Sequence, residues 1–265
     1  MNIYKRELKS ESKSIFYWTS GIGLMLVLSM IAFPMMTDSG VDITNFMDAM
    51  PRTLMVLFGM SDLDMGTSLG YHGILFFYVV LAGVIYSAML GTRIVSKEEV
   101  MKTSEFLLTR PRTRKSILTS KVLAGITLIT FFNILTYVYS LLSFMIIEEK
   151  FSLSGPLFKE TVSLYILMLL FFAFGLASAA LFKKAKVSGA VTLTAVFITF
   201  LISIFHDLLD SPEYLRILTP FRYFPLVDLV EKNELSLLYL MISIILSAIL
   251  GSLAYVLYSK RDMEI

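Results

Sequence analysis

Few residues in this chain have the types and spacing that chemistry requires. Cysteine is absent and only two histidines occur, His72 and His206. They stand far apart with no cluster of donors beside them, whereas a metal site needs several ligands in convergent geometry. The lack of cysteine removes thiolate nucleophiles and disulfides as well. Both histidines fall at the outer edges of apolar stretches, so no serine has a plausible triad partner. The pattern G-x-x-x-x-G-K-[ST], whose backbone N–H groups cradle nucleotide phosphates, does not occur. No catalytic residue, metal site or bound cofactor is therefore expected, and the chain is not expected to be an enzyme by itself. Any ATP chemistry linked to it would belong to another polypeptide.

One segment concentrates charge instead. Ser96-Lys97-Glu98-Glu99 matches the S-x-x-E capping box, with Ser96 as N-cap and Glu99 three residues on. Both Glu98 and Glu99 would then occupy the positive end of the new helix's dipole. Val100, Met101, Ser104, Leu107 and Leu108 would share one face, and Lys102 and Glu105 would lie away from it. Pro111 stops the pattern, and Arg110, Arg112, Arg114 and Lys115 follow as a basic knot. Two readings stay open on these residues alone: a docking helix for a partner, or an interfacial helix whose arginines set topology.

The elements that position this segment are membrane spans. Hydrophobic residues make up 56% and charged residues 17%, with mean hydropathy +0.75, against about 45–50% and 25% in soluble domains. Six stretches lack ionisable residues for the ~20 positions that a helix needs to cross about 30 Å of hydrocarbon: 15–36, 73–92, 122–147, 161–182, 187–205 and 235–258. They must be helices, because backbone groups in lipid have no water to bond. Lys5, Arg6, Lys9 and Lys13 precede an apolar run too long for a cleaved signal, so the first stretch reads as a permanent span. Of the 23 Lys and Arg, seventeen fall in the N-terminal tail, residues 93–121, the turn at 183–186 and the C-terminal tail. The positive-inside rule puts these, and both termini, in the cytoplasm. The expected fold is all-α and integral to the membrane, one domain over 1–265.

Other features are weaker. Ile43, Phe46, Met47, Met50, Leu54, Leu57 and Phe58 suggest an interfacial helix in the first outer loop, interrupted near Pro51. Residues 217–227 are too short to span and too apolar to be solvated, and Pro220 and Pro225 forbid one continuous helix. They are expected to form a broken, re-entrant element before the sixth span. Asn133 is the most polar group inside a span, either a hydrogen bond between helices or a cargo contact. Small residues at Ala173, Gly175, Ala177 and Ala179, and at Ser243, Ser247 and Gly251, suggest close helix packing. Charge-free spans speak against proton or ion coupling, which usually places ionisable groups within the membrane.

At the charged segment the chain resembles the permease subunits of ABC exporters of the type-2 (ABCG-like) class. That class carries acidic residues, then E-x-L-L-x-x-P, an arginine and a lysine between its second and third spans. Glu98, Glu99, Glu105, Leu107, Leu108, Pro111, Arg114 and Lys121 match, with Phe106 in place of a leucine-like residue. Tyr4 through Trp18 resembles the amphipathic N-terminal helix that leads into the first span. Thr219-Pro220-Phe221-Arg222-Tyr223-Phe224 is similar to the S/T-P-F-x-Y-F element before the last span, and Arg261-Asp262 to the ending after it.

The resemblance implies an ATP-driven exporter of a lipid, peptide or drug, built from two permease chains, identical or related, in the cell membrane. Two ABC ATPase subunits, which bind ATP and Mg, would dock on a cytoplasmic coupling helix formed by Ser96, Glu98, Glu99, Val100, Glu105, Leu107, Leu108, Pro111, Arg112 and Arg114. Asn133, Pro220, Phe221, Tyr223 and Phe224 are candidates for the path or gate, and no nucleic-acid partner is implied. A non-transporting scaffold, sensor or immunity protein is the rival reading, and a membrane-embedded enzyme a distant third.

Overall fold

A charge-free apolar stretch in lipid closes its hydrogen bonds within itself, and this chain does so in every predicted span. The computed structural model describes residues 3–38, 49–60, 63–100, 113–147, 154–182, 184–209 and 213–260. No strand occurs among them, and six of their helices are long and apolar enough to cross a membrane. These are α1 (Ile3–Asp38), α3 (Ser68–Val100), α4 (Arg114–Ile146), α5 (Ser154–Leu181), α6 (Ala185–Leu208) and α8 (Leu237–Lys260). Two short helices lie between them, α2 (Arg52–Leu57) and α7 (Leu226–Val230), with 3-10 turns at Glu213–Leu218 and Pro220–Arg222.

Several helices overrun the charge-free stretch that defines them. The 36 residues of α1 run about 54 Å at 1.5 Å per residue, so the N-terminal segment and the first span form one unbroken helix. The spans alternate in direction. Lys97 meets Glu7 at 3.1 Å and Tyr255 donates to Thr119 at 3.0 Å, which gathers the start of α1, the end of α3, the start of α4 and the end of α8 at one end of the bundle. This is the termini end of the bundle. The α5–α6 turn belongs there too, closed by Ser178 Oγ donating to the Ser188 carbonyl at 3.2 Å.

The centre of the bundle is α5, the most buried of the six long helices, packed mainly against α3 and α8. Its crossing with α3 is set by glycine. A Cβ at Gly91 would sit 2.4 Å from the Phe172 carbonyl oxygen, and one at Gly175 would sit 2.3 Å from that of Ala88. The backbones touch there, as small residues allow. The expected stripe on the sixth span does less: Ser243 is buried, but nothing lies within 4 Å of where a Gly251 side chain would be. That helix is strongly apolar yet little buried, so it turns most of its apolar surface outward.

The proline-broken connections fold as short pieces. Pro51 precedes α2, and residues 42–48 of the predicted interfacial helix lie outside the described residues. Pro220 opens the second 3-10 turn and Pro225 precedes α7, so each proline stands where its missing N–H is not needed.

Candidate functional site

The expected capping box is not a helix start. α3 runs unbroken from Ser68 to Val100, so Ser96 lies inside it, 3% exposed, and Glu98 and Glu99 fall at its C-terminal, negative end. The cause is α1, whose first turns supply what water would otherwise give. Glu11 Oε2 lies 3.2 Å from Arg93 Nη2, Glu7 Oε2 lies 3.1 Å from Lys97 Nζ, and Ser10 accepts a further short bond from Lys97. Glu7 and Glu11 are buried, so these pairs are more than surface decoration. From α4, the fully buried Lys121 donates to the Ile94 carbonyl at 2.6 Å.

The chain returns at Thr113, whose Oγ1 accepts from the Ser116 N–H at 3.3 Å. Arg114 is thus the first residue of α4, behind a true N-cap. The side chains of Glu98, Glu99 and Val100, and all of 101–112 with Glu105, Leu107, Leu108, Pro111 and Arg112, lie outside the described residues.

The second predicted group divides in two. Asn133 on α4 is buried, donates to the Ile129 carbonyl at 2.9 Å and approaches Met168 Sδ on α5 at 3.2 Å. Its Oδ1 is buried without a hydrogen-bond partner. The Pro220–Phe224 element packs elsewhere: Phe221 is 5.5 Å from both Phe171 and Phe200 between ring centroids. Tyr223 is buried, donates to the Ile217 carbonyl at 2.7 Å and stacks on Tyr239 at 5.0 Å. Burial and the neighbouring Tyr239 push its phenol above the ordinary range, which keeps it a neutral donor. Arg216 holds the turn by donating to the Arg222 and Tyr223 carbonyls at 2.5 and 3.3 Å, and Arg222 pairs with Asp207. The element is therefore a wedge at the end of the bundle away from the termini. It closes a cavity of about 70 Å³ walled in part by Phe77, Phe200, Phe221 and Phe224.

At that same end lies a constellation that sequence reasoning missed. His72 on α3 is not isolated at a surface but fully buried, its Nδ1 3.3 Å from Glu160 Oε2 on α5 and its Nε2 3.1 Å from Ser140 Oγ on α4. Phe76 and Phe144 flank the ring at 5.9 and 5.2 Å. The order of atoms is that of a Ser–His–acid triad, but catalysis does not follow. Ser140 sits inside a helix whose N–H groups are already bonded, so no pair of donors is free for an oxyanion. What the three groups do is tie spans two, three and four together through a polar contact in an apolar setting. The only sequence signal was position: His72 and Glu160 each stand one residue before a charge-free stretch.

The family described as ABC-2 family transporter protein matches residues 1–263 of the chain. No curated protein matches it.

Proposed function

The chain belongs to the ABC-2 family of transporter proteins, a multi-pass membrane permease, and on that premise we propose that it exports a hydrophobic or amphipathic cargo with energy from a separate ATPase. Permeases of this family generally work with such a partner. The termini end would face the cytoplasm, in accord with the basic residues that the positive-inside rule counts. The ATPase, carrying ATP and Mg, would dock on the segment between α3 and α4, from Glu98 through Arg114. Two permease chains and two ATPases would complete the assembly, and the outward-facing apolar surface of α8 is compatible with a second copy or lipid.

The observation that carries this reading is the bracing of α3. The docking segment grows directly from a helix held by Glu7, Glu11 and Lys121, so a push on it would not be absorbed by a loose joint. Further along, α3 meets α5 backbone to backbone at Gly91 and Gly175, where a shift of one helix must move the other. From α5 the motion would reach the Phe171–Phe221 contact and the wedge at the far end.

A photo-crosslinking residue at Glu105 tests this, with one at Glu231 as the far-end control. The Glu105 position is expected to capture a P-loop ATPase and the Glu231 position none. Capture at Glu231, or at neither site in a complex that retains ATPase activity, would overturn the docking assignment.

A further inference from the structure

Along the first turns of α1 the charges are sorted by sign. The inward side is an unbroken buried line, Ile3, Glu7, Glu11, Ile15, Thr19 and Ile22, at intervals of three and four residues. Both of its glutamates are engaged: Glu7 by Lys97 of α3 and by Arg6, Glu11 by Arg93 of α3. The outward side carries Lys5, Lys9 and Lys13, one turn apart and all exposed. None of the three makes an ion pair among the described residues. The only acidic residues between positions 3 and 37 are the two that face inward. From α3 outward the layers therefore run cation, acid, cation, and the outermost layer lacks a counter-charge.

What covers that layer follows from the rest of the same side. It continues into Phe16 and Tyr17, 64% and 71% exposed, and then into Leu24, Leu28, Ile31 and Met35, exposed as well. In a bilayer such an apolar run is covered by acyl chains, aromatic residues at its end stand at the headgroup level, and the lysines come next. Their four-carbon stems can follow the apolar surface while the ammonium groups reach the phosphates. A second copy of the chain fits this side poorly. A symmetric contact between parallel α1 helices repeats one patch on both partners and would set lysine against lysine. We propose that the outward side of α1 at the termini end is a docking face for anionic phospholipid, whose headgroups supply the missing layer of negative charge. The inference needs only the membrane and stands apart from the ATPase reading.

Ser12 is exposed on the same side, between Lys9 and Lys13, and the chain has no native cysteine. A fluorophore on Ser12→Cys therefore reports the lipids at this face. The full chain carrying it is reconstituted in bilayers that contain phosphatidylglycerol or phosphatidylcholine, each spin-labelled high on one acyl chain as a quencher. A basic residue near anionic lipid favours it by about fivefold, so phosphatidylglycerol is expected to half-quench the probe at about a fifth of the mole fraction that phosphatidylcholine needs, or less. At about 1 M salt, where charges are screened beyond about 3 Å, the preference should vanish. The Lys5→Gln, Lys9→Gln, Lys13→Gln variant, changed only at exposed positions, should be quenched equally by both lipids. Lys184→Gln, Lys186→Gln, exposed in the α5–α6 turn at the same end, should keep the preference. Equal quenching of the unmodified chain by both lipids would overturn the proposal, and so would quenching by neither, which would give the face to a protein partner. A preference that survives in the triple variant, or that the Lys184, Lys186 change abolishes, would overturn it as well, since its source would then be charge elsewhere.

Discussion

Replacing Glu160 by leucine removes one half of a buried pair and leaves the other. His72 and Glu160 are 3.3 Å apart with side chains 0% and 1% exposed, so bulk solvent does not reach the pair to replace the lost carboxylate. Breaking such a pair from one side costs about 3–5 kcal/mol, while replacing both members by apolar groups of similar volume is often neutral or stabilising. The surroundings favour the second outcome, because Phe76 and Phe144 already flank the imidazole. We therefore expect Glu160→Leu and His72→Leu each to lower stability by about 3–5 kcal/mol, and the double variant to be more stable than either. Denaturant titration in mixed micelles, followed by circular dichroism, measures all three against Lys232→Ala. Lys232 belongs to an exposed pair with Asp228 and should leave the midpoint unmoved. Additive losses in the double variant, or a Glu160→Leu loss below about 1 kcal/mol, would mean that the pair is not desolvated and that this expectation is wrong.

Other expectations can be checked alongside. Gly91→Ala drives a methyl group into the α5 backbone and should cost about 1–3 kcal/mol, whereas Gly21→Ala, with nothing within 4 Å, should cost almost nothing in the same titration. Lys121→Met deletes a charged hydrogen bond to the Ile94 carbonyl and should lower stability by about 1.5–3 kcal/mol, with no recovery in Lys121→Leu. With no native cysteine, single cysteines at Asp48 and Asn233 should label from outside intact cells, and those at Lys102 and Lys184 only after permeabilisation; outside labelling at Lys102 would reverse the orientation.

Hydropathy made the six spans legible because lipid imposes a length and forbids charge over it. The same rule hid the polar features at the span ends. Arg93 and Lys97 read as water-facing residues after a finished span, yet Glu7 and Glu11, some 90 positions earlier, let the helix continue. The S-x-x-E pattern at Ser96 misled for a related reason: it describes a local match and is blind to a helix already running through it. Gly91 gave no signal because its counterpart, Gly175, is on another helix. The proline punctuation at Pro51, Pro220 and Pro225 was readable, since the missing N–H acts within the chain segment itself. Asn133, expected either to bond between helices or to contact cargo, donates to Ile129 within its own helix and approaches Met168 on α5.

Reversing the acidic pair of the segment after α3 decides whether that segment couples the permease to an ATPase, as proposed. A desolvated charge pair at an interface carries about 1.5–7 kcal/mol of coupling, whereas a rim pair carries little. The purified complex of the Glu98→Lys, Glu99→Lys variant is compared with a Lys102→Glu control for ATPase co-purification and for ATP hydrolysis in proteoliposomes. The double variant is expected to insert normally but to lose the ATPase or its regulated hydrolysis, while the control keeps both. Normal co-purification and hydrolysis in the double variant would contradict the proposed coupling.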